Sequence, residues 1–176
     1  LRNSSAASDV YKRQSYHILG QDTSAYEITS VNNCEFPSFL GGTPTSVETD
    51  DLWSDVIDIG FDFCFFGGTY NQLLIGSNGV ISFDLSNANG YNGYNIDFGD
   101  TLPNASNSSL SEANIFGVAH DINPAVGGEI NFMILGSSPQ RQFVVNYNNV
   151  PHFGFDCQND FTSTTQIILF ESSNVI

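Results

Sequence analysis

The alternation of apolar and polar residues is clearest between Ile57 and Phe83. Large apolar residues alternate with small or acidic ones along Ile57–Phe63, and this period of two predicts a half-buried β-strand. Two further apolar runs, Leu73–Gly76 and Val80–Phe83, flank a Ser-Asn-Gly tripeptide whose Asn78-Gly79 step supplies the positive φ angles of a tight hairpin turn. The stretch therefore predicts a strand followed by a hairpin, with enough aromatic rings to form a core.

Later segments repeat the same kind of pattern and extend the prediction to the whole fold. A buried strand and two hairpins are predicted at Asn114–Asn123, at Glu129–Leu135 with Gln142–Tyr147, and at Thr165–Phe170 with Asn174–Ile176. Between them, Asp84–Glu112 is rich in Asn, Gly and Ser and shows little pattern, which is typical of a long functional or mobile loop. The predicted fold is all-β: a single antiparallel β-sandwich, jelly-roll-like, with one long Asn/Gly-rich loop.

Length and local composition suggest how the chain is organised. The 176 residues suit one domain with one core. Residues 1–14 hold three of the four basic residues and no apolar period, so we interpret them as a non-native or disordered leader. Residues 15–49 are expected to form N-terminal strands and loops of the domain. Residues 50–176 are expected to form the sandwich core, truncated at its C-terminus.

The charge balance narrows the classes of partner. The sequence contains 19 acidic and 4 basic residues, for a formal net charge of −15. Such a surface repels nucleic-acid phosphates and anionic lipids, so we expect neither nucleic-acid binding nor membrane insertion. It attracts divalent cations and suits saline, extracellular conditions.

Two acidic stretches are candidates for a metal site. Asp50, Asp51 and Asp55 precede the first predicted strand, and Asp121 follows His120 at a strand end. Carboxylates are the ligands that Ca²⁺ prefers, although the spacing is not that of an EF-hand loop. A solvated turn in which the Asp side chains cap backbone N–H groups is the alternative. A bound Ca²⁺ would be the only cofactor.

Aromatic residues outside the predicted strands are the candidates for ligand binding. Tyr91, Tyr94 and Phe98 lie in the long loop, and Trp53 lies between the acidic residues of the first stretch. Such rings could stack on a sugar or contact a protein partner, whereas in the alternative interpretation the loop aromatics cover one end of the core. No catalytic motif is present, so we predict no enzymatic activity; a hydrolase using paired carboxylates is a third hypothesis.

The three cysteines, Cys34, Cys64 and Cys157, lack the spacing of a zinc or redox motif. One disulfide among three pairings is compatible with the sequence. A Cys64–Cys157 bond would close a loop of about 90 residues, worth ~4–5 kcal/mol in the chain-entropy model. Burial as free thiols is the alternative.

Three blocks of sequence, taken in order, carry a family resemblance. They are FDFCFFGGTYNQLLIGSNGVISFD, NIFGVAHDINPAVGGEINFMILGSSPQRQFVVNYNNVPHFG and TQIILFESSNVI. From about Asp50 to Ile176 the chain resembles the nidogen-like extracellular domain and a β-sandwich domain of large Bacteroidetes surface proteins. Those proteins carry PKD-type repeats and a gliding-motility-associated C-terminal sorting domain.

The resemblance implies export through the type IX route and display at the cell surface, as one domain of a multidomain chain. It implies adhesion or a structural role, with an extracellular protein or glycan as partner, and it supplies no catalytic residue. Two functions are therefore expected: a non-enzymatic adhesion or structural module, or a calcium-assisted carbohydrate-binding module.

Overall fold

The computed structural model of the protein describes residues 42–94, 100–104, 106–111, 113–154 and 160–176. The chain forms two compact units, Leu1–Ser38 and Phe39–Ile176, and all described residues belong to the second. Its eight strands are β1 (Thr43–Pro44), β2 (Ile57–Phe65), β3 (Gly68–Ile75), β4 (Val80–Ser82), β5 (Asn114–Phe116), β6 (Glu129–Leu135), β7 (Gln142–Pro151) and β8 (Thr162–Phe170). The only helical elements among the described residues are 3₁₀ turns at Leu85–Asn87, Ser108–Leu110 and Pro124–Val126.

The strands form two antiparallel sheets of four strands each. The order is β1-β6-β7-β8 in the first sheet and β2-β3-β4-β5 in the second. Apart from β1, which pairs with β6, strands that are consecutive along the chain are neighbours in their sheet. This arrangement confirms the predicted all-β, antiparallel fold.

The two sheets share one apolar core. Along β2 every second residue is buried, so its five apolar side chains face inward and its polar residues face out. They pack in one cluster with inward residues of β7 and β8, including Phe143, Tyr147 and Leu169. Burying such side chains stabilises the fold by roughly 1.5–3 kcal/mol each. The shared core confirms the predicted sandwich.

A turn at Asn78-Gly79 is confirmed between β3 and β4, but of the two residues only Gly79 has the positive φ that was predicted for the Asn-Gly step. The Gly76 amide donates to the Val80 carbonyl at 2.8 Å, and Gly79 has φ +75°, a backbone conformation that glycine adopts without strain. Tyr147 of the first sheet is fully buried, and its hydroxyl donates to the Gly76 carbonyl at 2.9 Å. The turn is therefore anchored across the sandwich.

Two strand predictions need correction. The strand predicted over Asn114–Asn123 ends at Phe116, because Phe116 lies opposite Val80, the first residue of its partner β4. Asn174–Ile176 does not form a full strand, although a turn follows β8 as predicted. In that turn the Phe170 amide donates to the Val175 carbonyl at 3.0 Å.

Candidate functional site

Three carboxylates from two distant segments meet at one place. Asp50 and Asp51 lie in the loop before β2, and Asp121 lies between β5 and the Pro124–Val126 turn. One oxygen of each carboxylate lies within 4.8 Å of the others. We call these three residues the acidic triad. The cluster could bind a metal ion, since its donors are the oxygens that hard cations prefer.

A single buried asparagine holds both segments of the triad in place. Asn78, 1% exposed, donates from Nδ2 to Asp51 Oδ1 at 2.8 Å. Its Oδ1 accepts from the amide of Ile122, the residue after Asp121, at 3.0 Å. The same Nδ2 also donates to the Asn92 carbonyl at 2.8 Å. Asn78 was predicted only as a turn residue. It therefore has a second role, because it also holds the two segments of the candidate site together.

The electrostatics of the triad are those of crowded, partly desolvated carboxylates. Asp50 Oδ1 and Asp121 Oδ1 are both buried and have no hydrogen-bond partner. Burial, with the charges of Asp50 and Asp51, raises the pKa of Asp121 to about 6, although His120 opposes the shift. Burial and the charge of Asp51 also raise the pKa of Asp50. A cation at this place would relieve both the repulsion and the lost hydration.

Two exposed tyrosines lie beside the triad. Tyr91 is 62% exposed and forms an isolated β-bridge with Leu52, the residue after Asp51. Desolvation, followed by the charge of Asp51, raises the pKa of the Tyr91 hydroxyl. Tyr94 is 41% exposed and contributes to the same pKa shift. An accessible aromatic ring thus stands next to the candidate cation site.

Of the other predicted ligand-binding residues, Trp53 does not join this site. Trp53 is fully buried against Leu74 and Val80, so the prediction that it offers a stacking face to a ligand is wrong. Its burial follows from the backbone, because its amide donates to the Gly90 carbonyl at 2.9 Å and the residue bridges Gly76. Phe98 lies outside the described residues.

Asp55, the fourth predicted metal ligand, lies outside the triad. Its carboxylate accepts from Asn89 Nδ2 at 2.9 Å, and its amide donates to Ser46 Oγ at 2.8 Å. Neither contact is a carboxylate that caps a local backbone N–H group, so the capping interpretation of the first acidic stretch does not describe these two contacts of Asp55.

The predicted Cys64–Cys157 disulfide stays a prediction. Cys64 lies on the outer face of β2, and its exposed thiol has no disulfide partner among the residues that the structure describes. Its Sγ is 3.8 Å from Thr69 Oγ1. Cys157 and Cys34 lie outside the described residues.

Sequence reasoning missed a histidine pair near the triad. The rings of His120 and His152 lie 4.5 Å apart between centroids, and His152 Nε2 is 2.7 Å from Ser163 Oγ. Desolvation and the neighbouring His120 lower the pKa of His152. No sequence signal indicates this contact, because the two histidines are far apart in the chain.

The fold and the site define a β-sandwich module with an acidic cluster in its loops. The model of the NIDO-related family matches residues 25–176, and the chain therefore belongs to this nidogen-related family. Membership indicates a structural or adhesive, extracellular type of module. Comparisons with curated proteins and with solved structures gave no match. Among the described residues no helix is long and apolar enough to span a membrane.

Proposed function

We propose that this domain is a non-enzymatic extracellular adhesion or structural module whose acidic triad binds Ca²⁺. The observation that carries the proposal is the convergence of three carboxylates, two of which bury an oxygen without a hydrogen-bond partner. Buried charges are otherwise paired with an opposite charge or bound to a metal ion. Membership of the nidogen-related family supports the adhesive or structural role.

The donor set favours Ca²⁺ over softer metals. The triad offers carboxylate oxygens, whereas zinc and copper prefer nitrogen and sulfur ligands. Three carboxylates leave several of the six to eight positions of Ca²⁺ for backbone carbonyls, water or a ligand. Calcium sites of extracellular modules work at dissociation constants of about 10⁻⁴–10⁻³ M, so a partly open site is sufficient outside the cell.

A thermal melt tests the calcium site. With a dissociation constant of about 1 mM, 10 mM CaCl₂ stabilises the folded state by about 1.4 kcal/mol. We expect the Tm to rise by a few degrees more than in NaCl of equal ionic strength. Asp121→Asn should abolish this difference. Asp55→Asn, the matched control, should preserve it because Asp55 lies outside the triad.

An equal response of the wild type to both salts would remove the calcium proposal and leave the structural or protein-adhesive role. Loss of the calcium effect in both variants would show that net charge, and not the triad, mediates it.

A second candidate function is calcium-assisted carbohydrate binding. It is favoured by the exposed ring of Tyr91, a residue whose backbone pairs with Leu52, next to Asp51 of the triad. A sugar could stack on this ring while two of its hydroxyls complete the coordination of Ca²⁺. The site would then combine an aromatic surface with fixed polar groups, as small-ligand sites do.

A glycan-array screen with Ca²⁺ or with EDTA tests the sugar hypothesis. We expect calcium-dependent binding that is lost in Tyr91→Ala. Phe66→Ala is the matched control, since Phe66 is equally exposed, at 61%, but packs on Phe65. Absence of any glycan hit, or binding unaffected by EDTA, would reject calcium-assisted recognition.

The parent protein is proposed to be a large exported bacterial surface protein. The resemblance to domains of Bacteroidetes proteins with PKD-type repeats and gliding-motility-associated sorting signals supports this origin. The acidic composition, with a net charge of −15, also suits an extracellular setting. Antibody labelling of intact cells should detect the domain at the surface; signal only after cell lysis would reject export.

A further inference from the structure

Two histidines form a contact that the proposed function does not use. The rings of His120 and His152 lie 4.5 Å apart between centroids, with an angle of 63° between their planes. Imidazole nitrogen is a ligand that suits Cu²⁺, Ni²⁺ and Zn²⁺, whereas the carboxylate oxygens of the triad suit Ca²⁺. The histidine pair is therefore a candidate site for a metal of a different class, and it is independent of the proposed function.

The backbone brings the two rings together and fixes them there. Ile122, two residues after His120, forms an antiparallel bridge with His152. The Phe153 amide donates to the Asp121 carbonyl at 2.9 Å, which extends the pairing of the two segments. The histidines thus lie side by side before any metal arrives. Such preorganisation lowers the cost of binding, because less ordering is needed when the ligand enters.

One hydrogen bond prepares His152 as a ligand. A histidine that binds a metal through one ring nitrogen ordinarily donates its other ring N–H to an oxygen, which fixes the tautomer. His152 Nε2 lies 2.7 Å from Ser163 Oγ. When Nε2 donates to this oxygen, the lone pair of His152 lies on Nδ1 and is available to a metal. His120 is exposed to solvent, so a hydrated ion has access to the pair.

The distance between the rings selects the metal. A ring nitrogen that binds at about 2.0 Å places the centre of its ring about 3.1 Å from the metal. Two such rings lie about 4.4 Å apart at an angle of 90°, but about 5 Å apart at the tetrahedral angle that zinc prefers. The observed 4.5 Å matches the first arrangement, and square-planar coordination is typical of Cu²⁺. We propose that His120 and His152 form a Cu²⁺ site whose remaining positions are filled by water.

Electron paramagnetic resonance tests the site directly. One equivalent of Cu²⁺ at pH 7.5 should give a spectrum with hyperfine lines from two imidazole nitrogens. His120→Asn and His152→Asn should each remove this two-nitrogen signature, because each deletes one ligand. The third histidine of the sequence, His17, supplies the matched control. The His17→Asn variant should keep the signature.

Ser163→Ala tests the role of the hydrogen bond without removing a ligand. We expect the two-nitrogen spectrum to be retained, while the affinity for Cu²⁺, measured by competition with glycine, falls by about tenfold. An unchanged affinity would show that Ser163 does not prepare His152, and would overturn that step of the proposal.

A triad variant separates the Cu²⁺ site from the calcium proposal. Asp50→Asn removes one carboxylate of the triad and should leave the two-nitrogen spectrum unchanged, with or without Ca²⁺. A protein that binds Cu²⁺ in this way but does not respond to Ca²⁺ would reject only the calcium proposal. A wild-type spectrum with fewer than two nitrogens, a two-nitrogen spectrum kept by a folded variant that lacks His120 or His152, or its loss in His17→Asn would overturn the Cu²⁺ site. The wild-type spectrum decides the matter even where a histidine variant fails to fold.

Discussion

A carboxylate is paired with a guanidinium at one place in the molecule, whereas at another three carboxylates lie together. At the Arg141–Glu171 pair, one guanidinium binds a carboxylate through Nε at 2.8 Å and through NH2 at 2.6 Å. The same guanidinium donates to the Gly60 carbonyl at 2.5 Å and lies 5.5 Å from the centroid of the Phe61 ring. At the acidic triad, three carboxylates lie together and two of their oxygens have no partner.

The difference separates a stabilising contact from a site with unused binding capacity. Glu171 is held ionised, since Arg141 lowers its pKa to about 2. Asp121 is shifted the other way, to a pKa of about 6, by burial and by like charges. Perturbation by desolvation and neighbouring charge, without a compensating partner, is typical of functional sites. The Arg141–Glu171 pair is therefore a stabilising contact, whereas the triad retains the capacity to bind a cation.

The largest expected effect comes from the turn that supports the triad. In Gly79→Val the new Cβ would clash with Val118 Cγ1 and lie 3.0 Å from the Ala119 amide, at φ +75°. The clash and the strain together should lower the free energy of unfolding by about 3 kcal/mol or more. Chemical denaturation measures this.

Gly67→Val in the β2–β3 turn is the control for that substitution. Gly67 has a similar φ, +82°, but a Cβ added there would have no atom within 4 Å. The variant should show the backbone strain alone, about 1–2 kcal/mol. Equal losses at the two glycines would mean that the contacts with Val118 and Ala119 add nothing to the backbone strain at Gly79.

The second-largest effect on stability is expected at the Arg141–Glu171 ion pair. Glu171→Gln removes the charge that Arg141 binds while keeping the shape of the side chain. We expect the Tm at pH 7 to fall by a few degrees, because charge-assisted, bidentate hydrogen bonds are lost. Ser138→Ala is the control, since it removes only the 3.2 Å hydrogen bond between Ser138 Oγ and Glu171. An unchanged Tm in Glu171→Gln would show that the pair contributes no net stability.

The sequence predicted the sandwich well because its strongest signal is local. Alternation along Ile57–Phe65 determines which face of β2 is buried, and Asn78-Gly79 determines the position of the following turn. Trp53 shows where this reasoning fails. It lies among acidic residues without any alternation, so an exposed ring was the natural interpretation. Its burial depends on backbone bonds to Gly76 and Gly90 that no local pattern reports.

The site could be predicted only as separate parts. The sequence indicated Asp50, Asp51 and Asp121 as carboxylates suited to a cation, but not that they meet. Their meeting depends on Asn78, which bonds both segments. An asparagine before glycine has a sufficient local explanation in the turn, so its second role is visible only in three dimensions.

Removing a charge from the triad should stabilise the protein, whereas removing one from the ion pair should destabilise it. Asp121→Asn in calcium-free buffer at pH 7 should stabilise the protein. The full shift of the Asp121 pKa from 3.8 to about 6 corresponds to roughly 3 kcal/mol. Solvent screening at this partly exposed group reduces the expected gain to about 1 kcal/mol. Destabilisation of the calcium-free protein by this variant would show that the ionised carboxylate has a favourable partner.

The smallest expected effect is the difference between the pH dependences of stability in Asp121→Asn and in Glu171→Gln. Asp121 has a raised pKa in the folded state, so its destabilising effect is absent below about pH 4 and complete above about pH 6. The advantage of Asp121→Asn should therefore disappear as the pH falls from 7 to 4. Glu171 has a lowered pKa, so its contribution is complete above its ordinary value of 4.5 and is lost as the pH falls towards 2. The deficit of Glu171→Gln should thus persist at pH 5, where the Asp121→Asn advantage is already fading. Melts from pH 7 to pH 3 measure both differences, and a common pH window for the two variants would contradict the assignment of opposite roles.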